Sequence, residues 1–333
     1  MPVRIGMNGF GRIGRYLARL LAKEADVELA MVNARADNAT LAHLLKYDSV
    51  HGVYPGEIIA TDTGFSIDGK AVTVTRDDVG SWSWGAGGVD IVVETTGRVK
   101  TRDGLEWHLK CGAKKAVVAA PAPDADITVV MGVNDHLYDP AQHDVVSNAS
   151  CTTNCLAPAA KVINDAFGIR HGQMTTVHSY TMSQRILDGS HKDLRRARAA
   201  GLSIIPTTTG AARAIGLVIP ELAGKLDGMS MRIPTANVSL VDLVCELEKP
   251  ATVAEVNALL KAAAEGPMKE NMAYTEVPLV SVDYTSSPYG GVVDGLLTTV
   301  MNGTQLKLVI WYDNESGYSN QLLRFLKKIA ASM

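Results

Sequence analysis

The chain has 333 residues, of which 47% are hydrophobic, 20% charged and 5% aromatic, with a net charge of −3 at pH 7. That length suits two packed domains, and the slight negative balance argues against nucleic acid or an anionic membrane as a partner. Four cysteines (Cys111, Cys151, Cys155, Cys245) are too scattered for a disulfide scaffold, and their spacing with histidine matches no zinc or other metal site. No apolar run approaches a bilayer span, and an opening strand leaves no room for a signal peptide, so a cytoplasmic location is expected.

Residues 3–8 read as a buried strand, followed at once by Gly9-Phe10-Gly11-Arg12-Ile13-Gly14 and an amphipathic helix through 15–21. A G-x-G-x-x-G run between strand and helix predicts a dinucleotide site. Gly9 permits the tight turn, Gly11 lets backbone approach a pyrophosphate, and Gly14 lets helix pack on strand. A second strand, 27–33, ends in Asn33, about 20 residues beyond the last glycine, where NAD-specific proteins usually carry an acid for the ribose hydroxyls. Ala34 and Arg35 stand there instead. Without the carboxylate a 2′-phosphate meets no repulsion, and a guanidinium can pair with it. NADP is therefore the expected cofactor, alone or beside NAD; the alternative is that Arg35 is a solvated loop charge.

Strands at 71–74, 89–94 and 115–120, with helix-patterned segments such as 105–110 between them, predict a mostly parallel, doubly wound sheet. The strand ends at Thr95-Thr96-Gly97 and Ala119-Ala120 should then line the cofactor cleft. A short strand at 144–147 leads into Ser150-Cys151-Thr152-Thr153-Asn154-Cys155 and a helix-patterned segment at 156–167. Cys151 is thereby placed at or near a helix N-terminus, where unpaired N–H groups and the macrodipole favour a thiolate. C-x-x-x-C alone equally describes buried structural cysteine. His178, in the strand-like run 174–179, offers the imidazole that a cysteine nucleophile needs.

Long alternating strands follow at 230–234, 238–247 and 305–312, with a helix at 253–264 and a closing helix at 315–333. The expected fold is α/β: a Rossmann-type doubly wound parallel sheet in residues 1–150, and an α+β catalytic and oligomerisation domain with a mixed, largely antiparallel sheet in 151–314. Residues 315–333 are expected to return as a C-terminal helix to the nucleotide domain.

Further segments share one order and spacing: Asn8 to Arg15, Ala149 to Leu156, His191-Lys192-Asp193-Leu194-Arg195-Arg196-Ala197-Arg198, Pro206 to Ala212, and Tyr312-Asp313-Asn314-Glu315. Over nearly its whole length the chain resembles the phosphorylating glyceraldehyde-3-phosphate dehydrogenases, with features of their NADP-using branch. The resemblance implies reversible, phosphate-dependent oxidation of D-glyceraldehyde 3-phosphate to 1,3-bisphosphoglycerate. Cys151 would attack the aldehyde to give a thiohemiacetal, and His178 would help ionise Cys151 and remove the hydroxyl proton as hydride leaves. Inorganic phosphate would then release the acyl group from the thioester. The resemblance puts Thr181 and Arg232 at the substrate's own phosphate. It puts Ser150, Thr152, Thr209 and Gly210 at the attacking phosphate, with Arg196 nearby. For the cofactor it implies Arg12 and Ile13 at the pyrophosphate, Arg76 near the adenine, Asn314 on the nicotinamide carboxamide, and Ser190 in a loop reaching a neighbour's adenosine. It also implies a homotetramer with residues 180–200 at the subunit core. Read singly, Arg196 belongs equally to a solvated or subunit-contact face, Thr207-Thr208-Thr209 to a plain strand, and His178 to the core.

The chain departs from the family pattern at Ala34 and at Gly189-Ser190, where NAD-specific members carry a Leu-Pro pair; both changes point toward NADP. Met182-Ser183 replaces the usual Asn-Asp, Ser316 replaces Trp, and Ala119 replaces Thr or Ser; these bear on cofactor fit and turnover. Two alternatives are weighed. Erythrose-4-phosphate dehydrogenase fits less well with Ser179-Tyr180-Thr181 and His191-Lys192-Asp193. A catalytically quiet cofactor- or RNA-binding protein sits poorly with Cys151, His178 and Arg232, and no aromatic–basic RNA motif stands out.

Overall fold

Continuous apolar runs make the central strands of the first sheet. Ile91–Glu94 and Lys115–Val118 bury every residue, and Val3–Asn8 buries its last four, the pattern of parallel strands covered on both faces. The computed structural model describes residues 1–333, which form two compact units. One comprises Met1–Val129, Asp135–Ala149 and Leu322–Met333; the other comprises Val130–Asn134 and Ser150–Gln321.

The first unit holds a nine-stranded sheet. Val3–Asn8 is central and pairs in parallel with Val27–Asn33 on one side and Ile91–Glu94 on the other. The chain thus winds outward in both directions from that strand, and ligand crevices form at the carboxyl ends where such an order reverses. Gly9 turns out of the strand with φ +95°, and a Cβ there would meet the Thr96 nitrogen at 2.9 Å. At Gly14 a Cβ would meet the Gly9 carbonyl oxygen and the Met7 sulfur, each at 2.9 Å, so only glycine lets the helix Arg12–Leu21 lie this close.

One edge of this sheet was not foreseen. Gly64–Ile67 and Ile58–Thr61 add antiparallel beside Lys70–Thr75. The signal was present: Asp68 and Gly69 both have positive φ, and Asp-Gly between apolar runs marks a tight hairpin. The last residues of the chain pack within the same unit. Lys327 pairs with Glu24, Lys328 reaches Asp135 at 2.6 Å, and Phe325 meets the Tyr138 ring edge-on.

The second unit is built on a mixed sheet in the order Ile205–Thr208, Leu226–Ile233, Ile169–Ser179, Ser239–Leu247, Gln305–Tyr312, Gly291–Asp294, Met272–Thr275. Two pairs in it run parallel and the remainder antiparallel. Ser239–Leu247 alternates buried and half-buried residues along its whole length, so one face carries the core. The helices Cys151–Phe167, Ala211–Val218 and Val253–Glu265 pack with this unit's strands. The parallel register of Ile169–Ser179 with Leu226–Ile233 sets His178 beside Arg232.

Within the first unit, Arg12 clamps Asp48 with both guanidinium nitrogens, at 2.6 and 3.1 Å. Burial alone would raise that carboxyl, but the backbone N–H of His51 and the Arg12 guanidinium outweigh it and hold Asp48 at about 2. A depressed folded value stabilises above the unfolded value of 3.8 and is lost as pH falls toward 2. Asp48→Asn should therefore cost about 2 kcal/mol of unfolding free energy at pH 7. In urea unfolding, the gap to wild type should narrow as pH drops below about 4.

Candidate active site

The cysteine segment is shaped by its cap. Ser150 is extended (φ −118°, ψ 165°), and its Oγ accepts the Thr153 N–H at 3.1 Å. The helix therefore begins at Cys151 itself, one turn earlier than apolar periodicity implied, because the Ser150 hydroxyl satisfies one of the orphan donors. Ala149, fully buried, precedes the cap with φ +55°, a left-handed conformation that costs an L-residue about 1–2 kcal/mol.

Cys151 Sγ lies 3.6 Å from His178 Nε2. On the far side of the ring, Nδ1 is 2.7 Å from the Ser179 carbonyl oxygen and 2.7 Å from Arg232 Nη1. Tyr312 stands edge-on to the imidazole, with centroids 5.8 Å apart. Its hydroxyl meets Thr152 Oγ1 at 2.9 Å and Thr176 Oγ1 at 2.8 Å, tying the helix start to the histidine strand. The Thr152 hydroxyl is thus turned inward. Burial, and then the Arg232 charge, push His178 down to about 3, so the imidazole is neutral at pH 7. Burial raises the Cys151 thiol, and Arg232 and the Thr152 hydroxyl pull it only partly back. A helix N-terminus alone pointed to a thiolate; in this arrangement desolvation outweighs it.

The remaining anion candidates fall into two groups. Arg196 donates to Ser183 Oγ and Thr207 Oγ1, each at 3.0 Å, and Ser183 Oγ is 3.0 Å from Thr181 Oγ1. Thr181 and Arg196 are therefore linked through Ser183. Thr209 and Gly210 sit at the start of the helix Ala211–Val218; Gly210 is its cap, and Thr209 Oγ1 accepts the Ala211 N–H. Asn314 is held firmly. Its Oδ1 accepts from the hydroxyls of Ser179 (2.8 Å) and Ser239 (3.0 Å), which fixes the amide's orientation. Asp313 anchors the segment by accepting from Asn237, Ser286, Glu315 and Ser316. Ser190 is exposed, and its carbonyl accepts from Arg185.

In the first unit a cavity of about 420 Å³ opens at the strand ends; Gly9, Gly11, Asn33, Ala34, Arg35, Arg76 and Thr96 are among its lining. Arg12, Ile13, Gly14, Gly97 and Ala119 are not among the residues lining it. The cavity suits a dinucleotide: a Cβ on Gly11 would meet nothing within 4 Å, which leaves open space beside the helix N-terminus. Arg35 is exposed and pairs with Asp78 at 2.9 Å, and Arg76 donates to Ala36 and Asn38. A buried polar chain runs from the lining inward. Asn33 donates to Asn8 at 2.9 Å, Asn8 to Glu94 at 2.5 Å, and Glu94 accepts both the N–H and the hydroxyl of Thr96. Trp84 Nε1 donates to His108 Nδ1 at 3.1 Å, so the ring proton is on Nε2, 3.3 Å from Glu94 Oε2. Glu94 and His108 were missed in the sequence, where nothing local distinguishes them from strand and helix residues; Tyr312 was seen only as part of the Tyr312-Asp313-Asn314-Glu315 segment, without its contact to Thr152 and Thr176.

Family models match most of the chain. "Glyceraldehyde 3-phosphate dehydrogenase, NAD binding domain" covers residues 3–102, and the corresponding C-terminal domain covers 150–314. The glyceraldehyde-3-phosphate dehydrogenase of Geobacillus stearothermophilus is 57% identical over 332 residues, 99% of each chain. Glyceraldehyde-3-phosphate dehydrogenase 1 of Bacillus subtilis is 55% identical over 99% of each chain. The same organism's glyceraldehyde-3-phosphate dehydrogenase 2 is 47% identical over all of this chain and 98% of its own.

Tyr312→Phe tests the clamp. It leaves two buried threonine hydroxyls without their shared partner, so unfolding free energy should fall by about 1–3 kcal/mol in urea denaturation. Stability equal to wild type would contradict that role.

Proposed function

The chain belongs to the glyceraldehyde-3-phosphate dehydrogenase family, and on that premise we propose that it oxidises D-glyceraldehyde 3-phosphate, with inorganic phosphate, through covalent chemistry on Cys151. It is an oxidoreductase with an NAD-binding domain. The observation that carries the proposal is Cys151 Sγ at 3.6 Å from His178 Nε2, at the first turn of a capped helix. As the thiol attacks the aldehyde carbon, His178 takes its proton and hands it to the oxygen of the thiohemiacetal; the same nitrogen then draws that hydroxyl proton as hydride leaves, and passes it to solvent before phosphate attacks. The bound dinucleotide supplies the hydride acceptor. Phosphate attacks the resulting thioester carbonyl, the C–S bond breaks, and the acyl phosphate leaves with Cys151 regenerated. The Cys151 backbone N–H, unpaired at a helix start, can steady the oxyanion in both steps.

Arg232 and Thr181 are assigned to the substrate's phosphate. Ser150, Thr152, Thr209 and Gly210, with Arg196 nearby, are assigned to the attacking one. Ser150 and Thr152 have hydroxyls engaged in the cap and with Tyr312, so their backbone N–H groups are the donors offered. Gly9, Gly11, Arg12, Ile13 and Asn33 would hold the dinucleotide, with Asn314 on the carboxamide. Ala34 leaves no carboxylate at the end of Val27–Asn33, and Arg35 and Arg76 line the same cavity, which supports acceptance or preference of NADP. Self-association is supported by Met182, Ile186, Leu187, Leu194 and Leu202, each more than 70% exposed. No helix is long and apolar enough to cross a membrane.

Absorbance at the reduced-nicotinamide band tests the reaction. Reduction should require both the aldehyde and inorganic phosphate for sustained turnover, and kcat/KM should be at least as high with NADP as with NAD. Cys151→Ser should abolish turnover while leaving dinucleotide affinity within about twofold of wild type; wild-type rates would overturn the mechanism. Ala34→Asp should shift the NADP/NAD ratio of kcat/KM toward NAD by about tenfold or more, through repulsion of the 2′-phosphate. An unchanged ratio would remove Ala34 from cofactor choice.

A further inference from the structure

A line of hydrogen bonds crosses the carboxyl ends of three neighbouring strands in the first unit and stops at Glu94. Asn33 Nδ2 donates to Asn8 Oδ1 at 2.9 Å, and Asn8 Nδ2 donates to Glu94 Oε2 at 2.5 Å. These residues end Val27–Asn33, Val3–Asn8 and Ile91–Glu94, which lie side by side in the sheet. Glu94 is 1% exposed, and its other contacts are donors as well: the Thr96 N–H at 2.7 Å, the Thr96 hydroxyl, and His108 Nε2 at 3.3 Å. The neutral imidazole donates there because its Nδ1 accepts from Trp84. An ionised carboxyl group is acceptor-only, so this set of donors matches it and mismatches an amide.

At its other end the line meets backbone. Asn33 Nδ2 also donates to the Asp77 carbonyl at 3.1 Å, and Asn33 Oδ1 accepts the Asp77 N–H at 2.8 Å and the Thr75 hydroxyl at 3.1 Å. Both hydrogens and both lone pairs of that amide are spent within the protein, so Asn33 bears on a dinucleotide through the segment it clamps. Asp77 follows Arg76, and both line the cavity at the strand ends, as do Asn8, Asn33 and Thr96; Glu94 does not. An asparagine amide keeps its shape when turned over, so packing alone does not decide which end of Asn8 faces which neighbour. The carboxylate decides it. Glu94 accepts, Asn8 must present Nδ2 to it, and the Asn8 oxygen then calls for Asn33 Nδ2.

We propose that Glu94 is a positioning residue for the dinucleotide: as the acceptor on which the line ends, it fixes the direction of each hydrogen bond between Asp77 and Thr96 and so holds two walls of the cavity. The inference rests on reading that cavity as the dinucleotide site. Glu94→Gln keeps the shape but brings an NH2 group among donors. Turned toward Thr96, that group leaves the Thr96 N–H without an acceptor. Turned toward Asn8, it forces that amide over, and Asn33 must follow, which sets the Asn33 NH2 against the Asp77 N–H and its oxygen against the Asp77 carbonyl. Either way one wall is released. Adding Asn8→Asp moves the acceptor one step along the line: a carboxylate at position 8 accepts from the new amide on one side and from Asn33 on the other. Only His108, the longest of the four contacts, then lacks its partner.

Isothermal titration calorimetry of the full-length protein with NADP, and separately with NAD, reads the effect. Glu94→Gln should bind both about tenfold more weakly, with the dinucleotide KM raised in step, while the KM for inorganic phosphate and kcat at saturating dinucleotide stay within about twofold of wild type. The double variant Glu94→Gln/Asn8→Asp should return to within about threefold of wild-type affinity. A carboxylate that only stabilises the fold would lower the urea midpoint of Glu94→Gln and leave its affinity unchanged. That result, or a double variant no tighter than Glu94→Gln, overturns the proposal. Should Glu94→Gln fail to fold, judged by circular dichroism, the double variant decides: affinity near wild type supports the role, and weaker binding or failure to fold overturns it. Aldehyde oxidation is assayed beside it. The expected affinities with no oxidation by wild type discard the functional reading alone, and oxidation with unaltered affinity in Glu94→Gln discards the positioning role alone.

Discussion

Everything at the sulfur depends on how one helix start is fastened to one strand. Ser150 caps the helix and sets Cys151 as its first residue, while the Tyr312 hydroxyl joins Thr152 beside it to Thr176, two residues before His178. These two attachments bring sulfur and imidazole within hydrogen-bonding reach, at 3.6 Å. The strained backbone at Ala149 belongs to the same constraint: it immediately precedes the Ser150 cap, and its full burial holds it in the left-handed conformation.

That fastening also determines charge. The site is dry enough that both the thiol and the imidazole are driven toward their neutral forms, and the one permanent charge touching them is Arg232. A buried cation beside a base lowers its proton affinity, and beside a thiol it favours the thiolate, so the two effects of Arg232 pull the proton-transfer equilibrium in opposite ways. In the other unit, Glu94 is buried too, but it is surrounded by donors from Asn8, Thr96 and His108 and serves to hold strand ends in place.

Much of this was legible in the sequence because its signals are local. The strand–glycine–helix succession at residues 3–21 specifies its own geometry: Gly9 needs its positive φ, and Gly14 needs the space a Cβ would fill. Cys151 could be placed near a helix start from the pattern that follows it. What stayed hidden is long-range. Tyr312 lies 160 residues from Thr152, and Glu94 lies 86 from Asn8, so neither contact has a period or motif to announce it. The exact cap was missed for the opposite reason. Thr152 and Thr153 are weak helix formers, and only the Ser150 hydroxyl makes the first turn favourable there. The neutral state of the thiol was hidden because burial is a property of the fold, not of the flanking residues.

The covalent role of Cys151 is tested most directly by trapping the acyl group. The protein is mixed with D-glyceraldehyde 3-phosphate and oxidised dinucleotide without phosphate, quenched in acid, digested, and read by mass spectrometry. A phosphoglyceroyl adduct confined to the Cys151 peptide, absent when phosphate is added before the quench, is the expected result. Reduced dinucleotide formed with no adduct on that peptide, or with the adduct on another residue, would contradict the central role given to Cys151.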